Sequence, residues 1–130
     1  MSVSAPSPAR PLYHLFLILV SALVWTPPAG AEMAITLNSG DDSLSLIDTQ
    51  TYQEVARTPI GKQPHHLMAT PDDRYLIVAN AAGNDLVFLD PVSGQVQRRV
   101  SNVSDPYQIG FSPDQKWFVS NSLRLDRVDI

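Results

Sequence analysis

The chain has 130 residues, which is enough for one domain of ordinary size. Hydrophobic residues make up 44% and charged residues 17%, a balance that suits a globular protein and argues against disorder. The absence of cysteine excludes disulfide bonds, thiolate metal sites, a cysteine nucleophile and a lipid-modified cysteine. The formal net charge of −4 disfavours phosphate backbones, so nucleic acid is not an expected partner.

The first 31 residues have the order of a secretory signal peptide. A polar segment with one basic residue precedes a mostly apolar run at 12–25, and Pro27-Pro28 and Ala29-Gly30-Ala31 follow as helix breaker and cleavage site. As a helix the apolar run rises about 21 Å, which is short of the ~30 Å hydrocarbon core. We therefore predict a cleaved signal peptide at 1–31, no stable membrane anchor after cleavage, and a periplasmic or secreted chain beginning at Glu32.

The remainder of the chain consists of one repeated pattern. Short apolar runs rich in β-branched and aromatic residues alternate with turn residues, without a long helical periodicity. Residues 34–74 match residues 76–116 at a constant shift of 42 residues without a gap, and a third copy begins at Trp117. The identical pairs are Ile35/Ile77, Asn38/Asn80, Leu44/Leu86, Asp48/Asp90, Gln53/Gln95, Arg57/Arg99, Pro64/Pro106, Pro71/Pro113 and Asp72/Asp114.

This repeat length predicts a β-propeller. Four short strands in about 42 residues have the size of one blade, and blades stack because neither face can be buried alone. We predict an all-β fold of four-stranded antiparallel blades, with about two and a third repeats in residues 32–130. The apolar run from Tyr75 to Val78 is expected to be buried on both faces. Because a ring typically has 4–8 blades, we interpret the sequence as the N-terminal part of a larger propeller.

A series of short motifs occurs in order along the chain, namely Tyr75-Leu76-Ile77-Val78-Ala79-Asn80, Asn84-Asp85, Leu86 to Asp90, Pro106 and Ser112-Pro113-Asp114. Through these motifs the chain from Ile35 onward resembles the YVTN-type β-propeller repeats of secreted bacterial and archaeal proteins, a group that includes cytochrome-like and lactonase-like propellers. The motifs are specific for the fold and carry little information about function. Asp73 and Gln115 replace the turn glycine of the family, so we expect a turn type that other residues allow.

The resemblance also implies the position of each strand within a blade. Leu67-Met68-Ala69 and Ile109-Gly110-Phe111 would be innermost strands that line the central channel. Residues 95–100 would form an outermost strand, in keeping with their polar character. On this assignment, residues 67–90 hold the only complete set of innermost, second and third strands.

Pro64-His65-His66 is the sharpest chemical feature, and the resemblance puts it near the channel mouth. We select His65, His66 and Tyr107, the counterpart of His65 one repeat later, as candidate ligand-binding residues. Adjacent strand residues point to opposite sides, so the two histidines are not expected to share a metal. One imidazole could serve a haem or metal site, and the alternative is a histidine that hydrogen-bonds backbone. We predict no catalytic residue and no metal site, and the sequence identifies no cofactor.

The remaining polar residues are assigned structural roles. The aspartates of the predicted turns are expected to cap backbone N–H groups. Four arginines are expected to form a solvated face rather than a nucleic-acid track. The aspartates are Asp41, Asp42, Asp48, Asp72, Asp73, Asp85 and Asp90, and the arginines are Arg98, Arg99, Arg124 and Arg127.

The favoured function is a binding or interaction scaffold for a small molecule or protein that the sequence does not identify. The resemblance implies a rival, namely a propeller enzyme with a haem or other redox cofactor or with lactonase-like activity. Single-stranded DNA binding through the four arginines is a third alternative, and it predicts an affinity that falls steeply with salt.

Overall fold

The computed structural model describes residues 32–130 as an all-β chain of ten strands, as predicted. The predicted signal peptide at 1–31 lies outside the described residues. The strands are β1 Met33–Asn38, β2 Ser43–Asp48, β3 Gln53–Pro59, β4 Pro64–Ala69, β5 Leu76–Asn80, β6 Asp85–Leu89, β7 Val96–Ser101, β8 Pro106–Phe111, β9 Phe118–Ser122 and β10 Arg127–Asp129.

Consecutive strands pair antiparallel in three sheets, with the orders β1-β2-β3, β4-β5-β6-β7 and β8-β9-β10. The second sheet is a complete four-stranded blade, with β4 and β7 at its two edges. The third sheet contains three strands because Arg127–Asp129 pairs with β9. The expectation that residues 67–90 hold the only set of three successive blade strands is therefore wrong.

Two apolar layers join the three sheets. The first lies between the first and second sheets, and the second lies between the second and third sheets. Side chains of β5 alternate between these layers, with Val78 in the first and Ile77 in the second, so both faces are buried as predicted. The first layer contains Leu44, Leu46, Ile60, Val78, Val87 and Leu89, and the second contains Ile77, Ala79, Leu86 and Ile109.

Left-handed backbone positions recur with the same 42-residue period. Four turn positions thus keep a left-handed backbone in successive copies, whatever residue occupies them. Asp73 and Gln115 have φ values of 55° and 60°, in the left-handed region that glycine adopts most readily and that other residues, aspartate above all, also occupy. The recurring sets are Asp42/Asn84/Asp126, Tyr52/Gly94, Gln63/Asp105 and Asp73/Gln115.

Tyr52 is a strained member of these sets, because its φ is 56° at the position where its counterpart is Gly94. Its side chain is 81% exposed, so packing does little to offset this strain. Tyr52→Gly is expected to raise the free energy of unfolding by about 0.5–1 kcal/mol, since glycine adopts a positive φ without steric cost. Tyr52→Ala keeps a Cβ atom and should gain less. Urea unfolding would measure both variants, and a glycine variant no more stable than the alanine variant would contradict this explanation.

Asp85 is the first residue of β6 and is buried, so its predicted role as a turn cap is wrong. Its carboxylate pairs with Arg99 and accepts a hydrogen bond of 2.6 Å from Asn80 Nδ2. Asn80 and Arg99 also donate to the carbonyl oxygen of Ile60, at 2.9 and 3.0 Å. The cluster therefore fixes the connector between β3 and β4 to the second sheet, and Arg99 does not belong to a solvated face.

Asp48 and Asp90 each accept hydrogen bonds from two backbone N–H groups of the following turn, as predicted. These bonds lower the pKa of both carboxyls because they stabilise the charged form. Asp72 also accepts bonds within its own turn. By contrast, Asp41 pairs with Arg57 on the first sheet at 2.8 Å instead of capping a turn.

Candidate functional site

A cleft of about 320 Å³ lies at the end of the sheets where β4 and β8 begin. The turns after β1, β5 and β9 and the connectors leading into β4 and β8 surround it, so all three sheets contribute. β4 and β8 are the predicted innermost strands, which puts the cleft where candidate residues were expected. Its lining consists of Ser39, Gln63, His65, Ala81, Asp105, Tyr107, Leu123 and Arg124.

The structure brings the candidate residues His65 and Tyr107 together in this cleft. Their rings stack with centroids 3.5 Å apart and planes inclined by 29°. His65 Nδ1 lies 2.9 Å from the carbonyl oxygen of Tyr107, and because a carbonyl only accepts, Nδ1 carries the proton. Nε2 of the neutral ring is then the nitrogen with a lone pair, which can accept a hydrogen bond from a ligand.

His66, the third candidate, is not part of the cleft lining. Its Nδ1 accepts a hydrogen bond of 2.9 Å from the backbone N–H of Ile109, which joins β4 to β8. A register shift in β4 between Pro64 and His66 interrupts the alternation of side chains. Both imidazoles therefore bond to the backbone of β8, and the expectation that they serve opposite sides of the strand is wrong.

An ion pair between Arg124 and Asp105 forms another wall of the cleft. Asp105 is 3% exposed and accepts bonds from the Nε and backbone N–H of Arg124, at 2.8 and 2.6 Å. Arg124 also donates to the carbonyl oxygen of Ala81 at 2.8 Å. The pair thus links the turn after β9 and the connector into β8, in the third sheet, to the turn after β5, in the second sheet. These bonds fix the positions of the two sheets relative to each other at the cleft.

The hydrogen bond from Arg124 lowers the pKa of Asp105 below its ordinary value of 3.8. A carboxyl with a lower pKa in the folded state stabilises the fold above its unfolded-state pKa and loses this contribution as the pH falls through the folded-state pKa. Asp105→Asn is therefore expected to be less stable than the wild type at pH 7, with a gap that narrows below about pH 4. Urea unfolding at several pH values measures this gap, and an unchanged gap at about pH 3 would contradict the assignment.

The cleft contains none of the residues that recur between repeats. Nine positions of the blades do recur, such as Leu44/Leu86 in the core and Asp48/Asp90 in the turns. None of the lining residues is identical to a counterpart one repeat away. Ser39, Ala81 and Leu123 share one repeat position, Gln63 and Asp105 share another, His65 and Tyr107 share a third, and Arg124 replaces Ala82.

The four arginines of the DNA-binding alternative are all engaged within the described chain. Arg98 stacks on the ring of Phe88 at 3.9 Å, whereas the other three pair with carboxylates. Those pairs are Arg99–Asp85, Arg124–Asp105 and Arg127–Asp129. These arginines therefore do not form a continuous track of uncompensated charge.

Within residues 32–130, no group of three His, Cys, Asp or Glu side chains converges to hold a metal ion. In the same part of the chain, no helix is long and apolar enough to cross a membrane.

The stacked antiparallel sheets with a 42-residue period define the chain as a β-propeller. A family model of YNCE-like β-propellers matches residues 15–130, and the chain belongs to this family. This agrees with the predicted propeller-repeat resemblance. A comparison with curated proteins finds no significant match.

Solved structures share the fold at low sequence identity. Hydrazine synthase of Kuenenia stuttgartiensis has a TM-score of 0.59 and 23% identity over 69% of this chain and 26% of that chain. The dihydro-haem d1 dehydrogenase NirN, solved with DHE, has a TM-score of 0.58 and 19% identity over 71% of this chain and 20% of that chain. A functionally unknown protein of Desulfotomaculum acetoxidans has a TM-score of 0.55 and 21% identity over 73% of this chain and 32% of that chain. The chain thus spans a third or less of these structures, and the likeness shows the fold alone.

Proposed function

We propose that the chain acts outside the cytoplasm as a propeller binding module and that its ligand occupies the cleft around His65 and Tyr107. One observation carries the proposal, namely that every lining residue departs from the repeat that builds the blades. Nine positions recur between the two copies, such as Leu44/Leu86 and Asp48/Asp90, whereas none of these eight residues does. The volume of about 320 Å³ lies at the lower end of the range for small-molecule sites.

The chemistry of the lining suits a small polar ligand with a planar part. His65 Nε2 can accept a hydrogen bond, and the stacked rings of His65 and Tyr107 offer an aromatic edge. The side chain of Arg124 is 57% exposed although it is paired, so it can still donate to a ligand. Leu123, which is 58% exposed, supplies an apolar surface on the third sheet.

A fluorine-detected NMR screen with a library of fluorinated aromatic fragments tests the proposed cleft. Fragments that bind the full chain are expected to lose most of their line broadening with Tyr107→Ala, because this change removes one side of the stacked pair. Tyr52→Ala is the matched control at an exposed tyrosine on another turn and should leave binding unchanged. Equal binding by all three proteins, or the absence of any bound fragment, would contradict the proposal.

The location outside the cytoplasm rests on the sequence of residues 1–31. Expression of the full gene in a Gram-negative host is expected to release the chain with the periplasmic fraction, and mass spectrometry should then find Glu32 as the first residue. Ala31→Arg should block cleavage, since signal peptidase requires a small residue there. A cytoplasmic chain that keeps Met1 would contradict this part of the proposal.

Haem chemistry is the competing function, and the open Nε2 of His65 is the observation that favours it. A haem bound through this nitrogen would give the purified chain a Soret band that His65→Ala removes. Fragment binding by a chain without such a band would support the binding module instead.

A further inference from the structure

A second cleft, of about 400 Å³, opens at the opposite end of the sheets from the His65 cleft, between the second and third sheets. We name this second cleft the aromatic groove. Its lining consists of Thr70, Pro71, Asp72, Tyr75, Phe88, Arg98, Phe111 and Gln115. Three aromatic side chains and one guanidinium thus share one groove.

The aromatic groove lies beside the two guanidinium groups that form no ion pair within residues 32–130. Of the eight lysines and arginines in residues 32–130, six form ion pairs with carboxylates, and the exceptions are Arg74 and Arg98. Arg98 lies 3.9 Å over the Phe88 ring, and Arg74 lies 5.7 Å over the Tyr75 ring. Both of these guanidinium groups therefore lie over aromatic rings that line this groove.

Phe88 and Phe111 also pack against the second apolar layer, but the residue types at this junction do not recur between repeats. At the equivalent junction one repeat earlier, the counterparts of Tyr75, Phe88 and Arg98 pack into an ordinary apolar layer. Phe111 likewise stands where the earlier copy has a small residue. The counterparts of Tyr75, Phe88, Arg98 and Phe111 are Met33, Leu46, Ala56 and Ala69, respectively.

The arrangement favours a carboxylate as the ligand group. A guanidinium stacked on a ring keeps its in-plane N–H donors open, and these match the two oxygens of a carboxylate. Asp72 also lines the groove, but its carboxylate accepts turn hydrogen bonds from Thr70 and the backbone of Arg74. The guanidinium of Arg98, by contrast, forms no hydrogen bond or ion pair with residues 32–130. We propose that the aromatic groove binds a small carboxylate with an apolar ring, with Arg98 holding the carboxylate and Tyr75 and Phe111 contacting the ring.

Titration of the full ¹⁵N-labelled chain with 3-phenylpropionate tests this site. The amide shifts that change should cluster at Tyr75, Phe88, Arg98 and Phe111, with millimolar affinity for so small a probe. The uncharged analogue 3-phenylpropan-1-ol should bind about tenfold or more weakly, because it offers no charge to Arg98. Shift changes elsewhere, or equal affinity for acid and alcohol, would overturn the proposal.

Variants separate the role of Arg98 from a loss of folding. Arg98→Gln should weaken 3-phenylpropionate binding about tenfold or more, and Arg98→Lys, which keeps the charge without the planar fork, should fall in between. Arg127→Gln is the matched control, since Arg127 lies on β10 outside the groove. Circular dichroism melts would verify that all three variants fold. Unchanged affinity in a folded Arg98→Gln variant would overturn the assignment.

Discussion

Replacing Leu44 with alanine is expected to lower the free energy of unfolding by about 2–5 kcal/mol. Leu44 on β2 is fully buried in the layer between the first and second sheets, where it packs with Val78 and Val87. The truncation removes apolar contact and leaves a cavity between two sheets that are already close-packed. Urea denaturation followed by circular dichroism measures the change.

Leu125→Ala is the matched control for this prediction, because Leu125 is 49% exposed on the turn after β9. Surface truncations of this kind usually change stability by at most about 0.5 kcal/mol. Similar losses for Leu44→Ala and Leu125→Ala would mean that the inter-sheet layer does not stabilise the stacked sheets. That result would contradict the described packing of the first two blades.

Replacing Asp85 with alanine is expected to cost about 3 kcal/mol, which is the second large effect. The change leaves Arg99 without its carboxylate and Asn80 without one acceptor. The side chain of Arg99 is 39% exposed, so water relieves part of the penalty and the value lies at the lower end of the range for a broken buried pair. The connector that carries Ile60 should then loosen, because the groups that bond its carbonyl lose their own support.

A second variant separates the charge from the contacts in this cluster. Asp85→Ala combined with Arg99→Met removes both charges, and it is expected to recover part of the lost stability, since no buried charge is left unpaired. Asp41→Ala, at an exposed carboxylate paired with Arg57, should give no measurable change. A double variant that is as unstable as the sum of its single changes would contradict the proposed coupling.

The strands and their order could be predicted because their signals are local or periodic. Alternating apolar residues, the turns at Asp48 and Asp90, and the 42-residue shift together specify stacked four-stranded sheets. The short strand β10 gave a weak signal, since it has three residues and Val128 on it is 60% exposed. The left-handed backbone at Gln115 was not predicted, because glutamine seldom adopts a positive φ and its residue type gives no sign of one.

The candidate site could be predicted only in part. His65 and Tyr107 stood out as chemically distinctive residues at one repeat position. Arg124 and Asp105 did not, because their partners lie far along the chain. Arg124 bonds Ala81, 43 residues away, and the spacing of residues does not reveal which side chain crosses between two copies. The change from Ala82 to Arg124 at one repeat position was the available signal.

The central claim is that the ligand binds in the cleft around His65 and Tyr107, whose lining residues do not recur between repeats. The most direct test exchanges the two stacked residues in a His65→Tyr, Tyr107→His double variant and measures its affinity for a fragment that binds the wild type. The account predicts a folded variant, within about 1 kcal/mol of wild-type stability, whose affinity is at least about tenfold lower. A folded variant that binds the fragment as tightly as the wild type would contradict the claim.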